Sequence, residues 1–254
     1  MINDDIAPCL YNSNKWTIRC VFDLNRFFWY VDGPFDGIDD GSLNDIWRWE
    51  EYSDQYPIFF FGDYTGLPKV FENKLVFKQS CHKNSKCKAF FYHVSIDRKP
   101  KNILDCKFGG SFQGSVNSNP VRKKILDGLK QFDSFDFQPN EILWWKYDEN
   151  QKNVLRDKYL DLLDDSQFVM CPKGVGLNSI RFFETLRMGR IPILISDDAK
   201  LPLDNKINYE DFVVRVPEYQ VENSNNFVLE FLKNKDIIKA SDAAREVSLQ
   251  YFDN

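Results

Sequence analysis

The pattern of hydrophobic and polar positions differs between the two parts of the chain. The first hundred residues contain short apolar runs, of which YPIFFFGDY (56–64) is continuous until it meets a Gly-Asp pair. A continuous apolar run that stops at such a pair predicts a buried strand followed by a loop. Two further strands are predicted at KLVFKQS (74–80) and AFFYHV (89–94). We therefore expect this part to be an aromatic-rich region of short strands.

After the polar, proline-containing segment DRKPKN (97–102), predicted strands and helices alternate. We place a domain boundary in this segment, which gives an N-terminal domain over 1–100 and a C-terminal domain over 101–254. Strands that alternate with helices of about ten to fifteen residues indicate a parallel sheet with right-handed crossovers, that is, a Rossmann-like layer. The predicted elements are strand 103–110, loop 111–120, helix 121–132, strand 141–147, helix 151–166, a unit of strand, loop, helix and strand over 168–198, and one or two amphipathic helices over 225–252.

Composition and charge exclude several classes of protein. Hydrophobic residues make up 43% of the chain and aromatic residues 16%, which is typical of a globular protein. The net charge of −5 argues against a nonspecific nucleic-acid binder, because such proteins usually carry a basic surplus. No apolar stretch reaches the ~18 residues of a membrane span, and the first twenty residues lack a signal-peptide core. We expect a soluble, cytoplasmic protein with no transmembrane segment and no nucleic-acid partner.

The cysteines give no sign of a disulfide framework or a metal site. Six of them are spread along the chain without a repeating spacing, which favours reduced thiols of a cytosolic protein. The stretch CHKNSKC (81–87) combines two cysteines with a histidine, but its spacing matches none of the usual zinc motifs and no second ligand pair follows. No metal ligand is predicted.

The segment CPKGVGLNS (171–179) is expected at the carboxyl end of a parallel strand, where open α/β sheets bind ligands. Gly174 and Gly176 let the backbone approach a ligand closely, and Asn178 or Ser179 can cap the helix that follows. Free N–H groups at the helix start, together with the helix dipole, favour an anion such as phosphate. The alternative is an ordinary turn, in which Gly and Asn are common.

The helix after this loop carries Arg181 and Glu184, which are three residues apart and therefore lie on one side. Burying either charge costs several kcal/mol unless it is paired with its neighbour or with a ligand. One hypothesis is that the two side chains neutralise each other. The other gives Arg181 to a phosphate or a base and Glu184 to a pair of ribose hydroxyls, which a carboxylate can accept.

A longer pattern around these residues resembles the exostosin family of glycosyltransferases. The pattern is S-x-F-x-x-C-P-[KR]-G-x-G-x-x-S-x-R-x-x-E-x-L-x-x-G-x-I-P-[IV], and the likeness extends over roughly residues 103 to 220. A chain of matches this long is far more specific than a single glycine motif. The matching residues are Ser166, Phe168, Cys171, Pro172, Lys173, Gly174, Gly176, Ser179, Arg181, Glu184, Leu186, Gly189, Ile191, Pro192 and Ile193.

The resemblance implies a GT-B-like α/β fold, with two Rossmann-like domains that face a cleft and an N-terminal domain that is reduced. The C-terminal domain would hold a nucleotide sugar and the N-terminal domain the acceptor, and the last helix can return to pack on the N-terminal domain. The segment FGGSFQGSVNSNPVRKKIL (108–126) is similar to the start of the family's donor domain, which puts Gly110, Ser111 and Arg122 near the donor phosphates. Lys173 is a further candidate phosphate ligand.

The resemblance also implies a metal-independent reaction, in which a helix dipole and basic side chains balance the leaving diphosphate. The sequence agrees, since it contains no D-x-D motif of the kind that metal-dependent GT-A enzymes present. We expect an inverting glycosyltransferase that needs no cofactor and transfers a sugar from a nucleoside diphosphate, UDP rather than GDP, to a glycan acceptor. The alternatives are a catalytically silent nucleotide- or glycan-binding module and an α/β protein without a ligand.

Inversion requires one general base to take the proton of the acceptor hydroxyl. Asp63 is the candidate, because FFFGDYTG (59–66) places it directly after a buried strand with a glycine on each side. An exposed turn aspartate is the competing interpretation. His82, His93 and Asp54 are weaker alternatives.

Overall fold

The computed structural model describes residues 75–252 except 93, 95 and 141–145, together with the backbones of four earlier strands. Within these residues the N-terminal part forms a six-stranded sheet in sequence order, β1 to β6. The first three strands pair antiparallel and the last three join in parallel. The strands are β1 Tyr11–Ser13, β2 Trp16–Asp23, β3 Arg26–Asp32, β4 Ile58–Phe60, β5 Val76–Lys78 and β6 Lys88–Ala89.

The predicted strands of this region are present but shorter than their apolar runs. β4 and β5 lie inside the runs 56–64 and 74–80, whereas β6 has only two residues and ends where the predicted strand 89–94 begins. Asp54, Asp63 and His93 lie outside the described residues.

The C-terminal part forms a five-stranded, fully parallel sheet in the order β11-β10-β9-β7-β8. This topology confirms the predicted α/β class. The strands are β7 Phe108–Ser115, β8 Phe135–Asn140, β9 Ser166–Pro172, β10 Ile191–Ile195 and β11 Val214–Arg215.

Two strands of this sheet are not where the hydrophobic pattern predicts them. The predicted strand 103–110 begins as a 3-10 turn at Ile103–Asp105, and β7 runs on to Ser115 through residues that were expected to form a loop. β8 lies at Phe135–Asn140 instead of 141–147, and it contains Pro139. Proline is tolerated there because β8 is the edge strand of the sheet.

The helices cover both faces of the sheet. They are α1 Ile125–Leu129, α2 Glu149–Asp164, α3 Ile180–Arg187, α4 Ser224–Asn234 and α5 Ile237–Tyr251, and a 3-10 helix at Pro120–Lys124 precedes α1. α1 packs against α4, and α3 packs against α5. The helix predicted over 121–132 is thus divided into a 3-10 helix up to Lys124 and the short helix α1, which ends at Leu129, while α2 begins with a capping box formed by Asp148 and Gln151.

Helix α3 is fixed at both ends and along its buried face. Phe182 and Phe183 are almost fully buried, and Phe183 meets Phe252 in an edge-to-face contact with ring centroids 5.4 Å apart. Phe252 follows α5 and also contacts Phe91, 5.4 Å between centroids. α3 ends at Gly189, whose φ of +59° forms a left-handed helix terminus that leads directly into β10.

In the part of the chain that the structure describes, no helix combines the length and the apolar character needed to cross a bilayer.

Candidate functional site

The order of the parallel strands reverses between β7 and β9, because β8 lies on one side of this pair and β10 on the other. In open α/β sheets such a reversal opens a crevice at the carboxyl ends of the two strands. β7 ends at Ser115 and β9 at Pro172, so the loop 173–179 enters this crevice. The segment that the sequence singles out is therefore at the binding edge of the sheet.

Arg122 fastens the two strands together at this edge. Its guanidinium donates to the backbone carbonyls of Ser115 at 3.1 Å, Pro172 at 3.2 Å and Lys173 at 2.9 Å. A Cβ atom on Gly174 would lie 2.8 Å from Nη2 of Arg122, so the glycine allows this close approach. Arg122 therefore places a positive charge at the crevice, while its N–H groups donate to backbone carbonyls.

The loop itself is held by its own backbone and by neighbouring side chains. The N–H of Gly174 donates to the carbonyl of Gly176 at 3.0 Å, and Asn119 donates to the carbonyl of Gly174 at 3.0 Å. The ammonium group of Lys173 pairs with Glu218 at 2.7 Å. This pairing compensates the charge of Lys173 within the protein.

Asn178 and Ser179 do not cap α3 with their side chains. The Asn178 amide donates to the carbonyls of Gln79 at 2.7 Å and Lys200 at 3.2 Å, so it ties the loop to the N-terminal part. Ser179 occupies the N-cap position, but its hydroxyl makes no capping hydrogen bond. The predicted cap is therefore wrong, and the first turn of α3 has no side-chain acceptor for its N–H groups.

Arg181 lies almost buried, 8% exposed, at the start of α3. Its Nη2 donates to the carbonyl of Gln113, and the guanidinium lies 4.6 Å from the ring centre of Phe112. Nε and Nη1 have no hydrogen-bond partner. Gly114, which follows Gln113 in β7, has a φ of +149°, and a Cβ atom there would collide with Nη2 of Arg181. The strand is thus shaped to receive a cation that the protein does not fully satisfy.

Glu184 is 3% exposed and is paired with helix α2 instead of with Arg181. Arg156 donates to Oε1, and the Tyr159 hydroxyl donates to Oε2 at 2.7 Å. Burial and the charge of the Glu184 carboxylate raise the pKa of Tyr159 well above its usual value, so this hydroxyl remains a donor. The hypothesis that Arg181 and Glu184 neutralise each other through hydrogen bonds is therefore wrong.

Gly110 and Ser111 lie inside the sheet, which corrects their expected place at the end of the strand. Gly110 pairs with Phe135 and Phe168 on the neighbouring strands, and a Cβ atom there would lie 3.0 Å from the Phe132 ring. The hydroxyl groups of Ser111 and Ser166 share a hydrogen bond, with 2.7 Å between their oxygens. These contacts pack β7 against its neighbours. Both residues lie inside the strand because β7 continues five residues beyond Gly110.

The unpartnered polar atoms of the described residues gather at the same edge. Five buried side-chain nitrogen and oxygen atoms lack a hydrogen bond. They belong to Gln113 near the end of β7, Ser196 directly after β10, Asn178 in the loop after β9, and Arg181. Buried polar groups without partners are rare in folded proteins and call for a specific explanation such as a bound ligand. Donors and acceptors occur together in this set, which suits a ligand that carries both anionic and hydroxyl groups.

Of the candidate bases, His82 alone lies among the described residues. Its Nδ1 accepts the backbone N–H of Asn84 at 3.0 Å, and its Nε2 lies 3.6 Å from a carboxylate oxygen of Asp198. Both ring nitrogens thus face protein groups, which leaves His82 poorly placed to take a proton from a substrate.

The described residues contain no group of three His, Cys, Asp or Glu side chains that could hold a metal ion. Cys81 and Cys87, the two cysteines of CHKNSKC, are buried free thiols. Burial raises the pKa of Cys81 to about 11, which disfavours the thiolate that a metal would require.

Arg156 and Tyr159 are site residues that the sequence pattern does not identify. They lie on α2, 28 and 25 positions before Glu184. A helical pattern does not indicate which distant residue its side chains will contact. Only the fold brings α2 beside α3.

Comparisons with known proteins agree with the resemblance seen in the sequence. The Exostosin GT47 domain model matches residues 94–232. The chain is 41% identical over 63 residues to an Exostosin-1 homolog of Caenorhabditis elegans, covering 25% of this chain and 16% of that protein. It is 34% identical over 135 residues to a probable glucuronosyltransferase of Oryza sativa subsp. japonica, covering 52% of this chain and 25% of the relative. Among solved structures, TarM aligns with 92% of this chain and 61% of its own at 11% identity and a TM-score of 0.42.

The chain spans a quarter or less of the length of these two curated relatives. The family match nevertheless covers more than half of the 254 residues and contains the loop 173–179 and all of α3. Through this match, the chain belongs to the exostosin GT47 family of glycosyltransferases.

Proposed function

We propose that this chain transfers a sugar from a nucleoside-diphosphate sugar, UDP-linked, to a glycan acceptor. The observation that carries the proposal is the buried guanidinium of Arg181, whose Nε and Nη1 are unpartnered at the carboxyl edge of the sheet. A cation buried with unused donors is costly unless an anion completes it. The name of the rice relative refers to glucuronosyl transfer, and only the class of sugar transfer is carried over from it.

In this proposal the diphosphate lies at the start of α3. The N–H groups on Nε and Nη1 of Arg181 can each donate to a phosphate oxygen, and the helix dipole adds to the attraction. Glu184 keeps two of its four lone-pair positions beyond its bonds to Arg156 and Tyr159, and these can accept the two ribose hydroxyls. Gln113, Asn178 and Ser196 supply further polar atoms for the rest of the donor.

The reaction proceeds with inversion, as one displacement at the anomeric carbon. A base in the N-terminal part, for which Asp63 stays the candidate, takes the proton of the acceptor hydroxyl as its oxygen attacks. The bond to the diphosphate breaks on the opposite side, and Arg181 stabilises the charge that develops there. The charge of Arg122 lies at the same edge, so we propose that no metal ion is required.

Calorimetric titration with UDP and with uridine tests the donor site. Arg181→Ala should weaken UDP binding by ~1.5–3 kcal/mol and leave uridine binding nearly unchanged, because uridine lacks the phosphates. Glu184→Ala should weaken both ligands. The control is Arg98→Ala, which removes an arginine whose exposed ion pair with Asp161 lies away from the loop 173–179.

Equal losses for UDP and uridine in Arg181→Ala would overturn the phosphate role of Arg181 and indicate stacking on the base. UDP binding that survives EDTA supports metal independence, and binding that requires Mg²⁺ or Mn²⁺ contradicts it. Incubation with a panel of UDP and GDP sugars, followed by measurement of released nucleotide, separates an enzyme from a silent binding module.

A further inference from the structure

Arg181 and Glu184 lie on adjacent turns of one helix, yet they are not joined by a hydrogen bond. Side chains at this spacing meet readily, and an arginine and a carboxylate attract strongly in a buried setting. Both oxygens of Glu184 are instead occupied from outside the helix by Arg156 and Tyr159. The absence of the local pair therefore has an identifiable cause in α2.

Arg156 and Tyr159 together form a clamp on Glu184. They are three residues apart on α2, and the Arg156 guanidinium lies 5.8 Å from the ring centre of Tyr159. The arginine supplies a charge that matches the carboxylate, and the tyrosine supplies a second donor at 2.7 Å. The clamp places a separate donor on each carboxylate oxygen, whereas part of the Arg181 guanidinium is already used by the carbonyl of Gln113.

We propose that Arg156 and Tyr159 are positioning residues that hold Glu184 away from Arg181, and that this keeps Nε and Nη1 of Arg181 available to an anionic ligand. The identity of that anion as a diphosphate rests on the proposed function. Without the clamp, Glu184 turns to Arg181 and neutralises it. The anion site then loses its charge although neither of its own residues has changed.

Inorganic pyrophosphate is the probe, because it reports on the anion site without the ribose contacts of Glu184. Arg156→Gln should raise the dissociation constant for pyrophosphate by about tenfold, the scale of one charge-assisted hydrogen bond. In the double variant Arg156→Gln/Glu184→Gln no carboxylate competes for Arg181, and the dissociation constant should return to within about threefold of the native value.

The matched control for this rescue is Arg156→Gln/Asp161→Asn, which has the same net charge. Asp161 is an exposed carboxylate on α2 that pairs with Arg98, so its removal should restore nothing. A double variant with Glu184→Gln that binds as weakly as Arg156→Gln alone would overturn the proposal, as would equal recovery in the Asp161 control. The first outcome would leave Arg156 as a link between two helices.

A second measurement needs no ligand. The shifts in melting temperature caused by Arg181→Met and Glu184→Gln should be additive in the otherwise native protein, and they should become non-additive in the Arg156→Gln background, where the two side chains meet. Additive shifts in both backgrounds would refute the proposal that Glu184 pairs with Arg181 once Arg156 is removed. If the native protein bound neither pyrophosphate nor UDP, the proposed donor site would fail, and this thermal cycle would still decide the role of the clamp.

Discussion

In the five-stranded sheet, one arginine is buried at the amino ends of the strands, here called the amino edge, and another at their carboxyl ends, the carboxyl edge. The two arginines differ in how fully the protein satisfies their hydrogen-bond donors. At the amino edge Arg190, 1% exposed, donates from Nε to the carbonyl of Leu163 at 3.1 Å. Its Nη2 meets the carbonyls of Lys101 and Asp164, each at 3.0 Å, and a carboxylate oxygen of Asp164 at 3.1 Å. At the carboxyl edge Arg181 has two donors without any partner.

The surroundings of the two arginines differ in the same way. Asp165, beside the start of β9, receives hydrogen bonds from Lys101 and Lys107, so charges at the amino edge are matched within the protein. The carboxyl edge instead contains every buried side-chain polar atom of the described residues that lacks a hydrogen bond. The amino ends of the strands are thus fastened to the chain that precedes them, while polar groups at the carboxyl ends stay without a partner in the protein.

The largest expected effect on stability comes from replacing each of the two arginines, Arg190 and Arg181, separately with methionine. Arg190→Met should lower the free energy of unfolding by about 3–5 kcal/mol, because the buried carbonyl of Leu163 and the half-buried carboxylate of Asp164 lose their arginine donor. Arg181→Met should cost less than about 1 kcal/mol, since much of that side chain is unsatisfied in the folded protein. Denaturant unfolding of both variants measures the difference. Equal losses would mean that the two edges are not specialised.

A matched pair of serines sharpens the same comparison on a smaller scale. Ser166 at the amino edge bonds to Ser111 at 2.7 Å and to the carbonyl of Leu162 at 2.6 Å, whereas Ser196 at the carboxyl edge has no partner. Ser166→Ala should cost about 1 kcal/mol or more, and Ser196→Ala should change the stability by less than about 0.5 kcal/mol. The prediction is contradicted if Ser196→Ala proves the more damaging change in the ligand-free protein.

The smallest effect concerns the pH dependence of Asp165. Burial tends to raise the pKa of this carboxyl, but hydrogen bonds from Lys101 and Lys107 outweigh it and hold the pKa below its usual value. A lowered folded-state pKa stabilises the protein above the unfolded value, and this stabilisation is lost as the pH falls through the folded value. Asp165→Asn should therefore be less stable than the native protein at pH 7, by less than about 1 kcal/mol because the lysines are solvated.

The difference between Asp165→Asn and the native protein should begin to shrink as the pH falls below about 4 and should vanish below the lowered folded-state pKa of Asp165. Thermal unfolding between pH 7 and pH 2 measures it, with Asp157→Asn on the exposed face of α2 as the control. A difference that persists at the lowest pH would show that Asp165 acts through its shape and not through its charge.

The hydrophobic pattern predicts the unit over 168–198 well, because its signals are strong and local. β9 and β10 are continuous apolar runs buried on both faces, and α3 has a charged side and an apolar side that follow the helical repeat. Gly189 marks the end of α3 by the ordinary rule for helix termini. The loop 173–179 and Arg181 could thus be placed at the binding edge from sequence.

The pattern fails where the surroundings override local preference. The stretch SFQGS (111–115) is rich in glycine and serine and is predicted as a loop, yet its place between β8 and β9 makes it the second half of β7. FDFQPN contains a proline and becomes β8 because the edge of the sheet tolerates it. The clamp on Glu184 could not be predicted either, since Arg156 meets it across 28 positions of chain and helical spacing favours Arg181 instead.

The contacts of the loop and of α3 also decide how the part that matches the family model could be isolated as a fragment. Asn178 lies inside the matching region 94–232, but one of its hydrogen bonds goes to Gln79, which precedes that region. Phe183 packs against Phe252, which follows it. Expression of residues 94–232 alone would leave a buried amide without that acceptor and open the aromatic core beside α3. A recombinant fragment that preserves these two contacts has to include both Gln79 and Phe252.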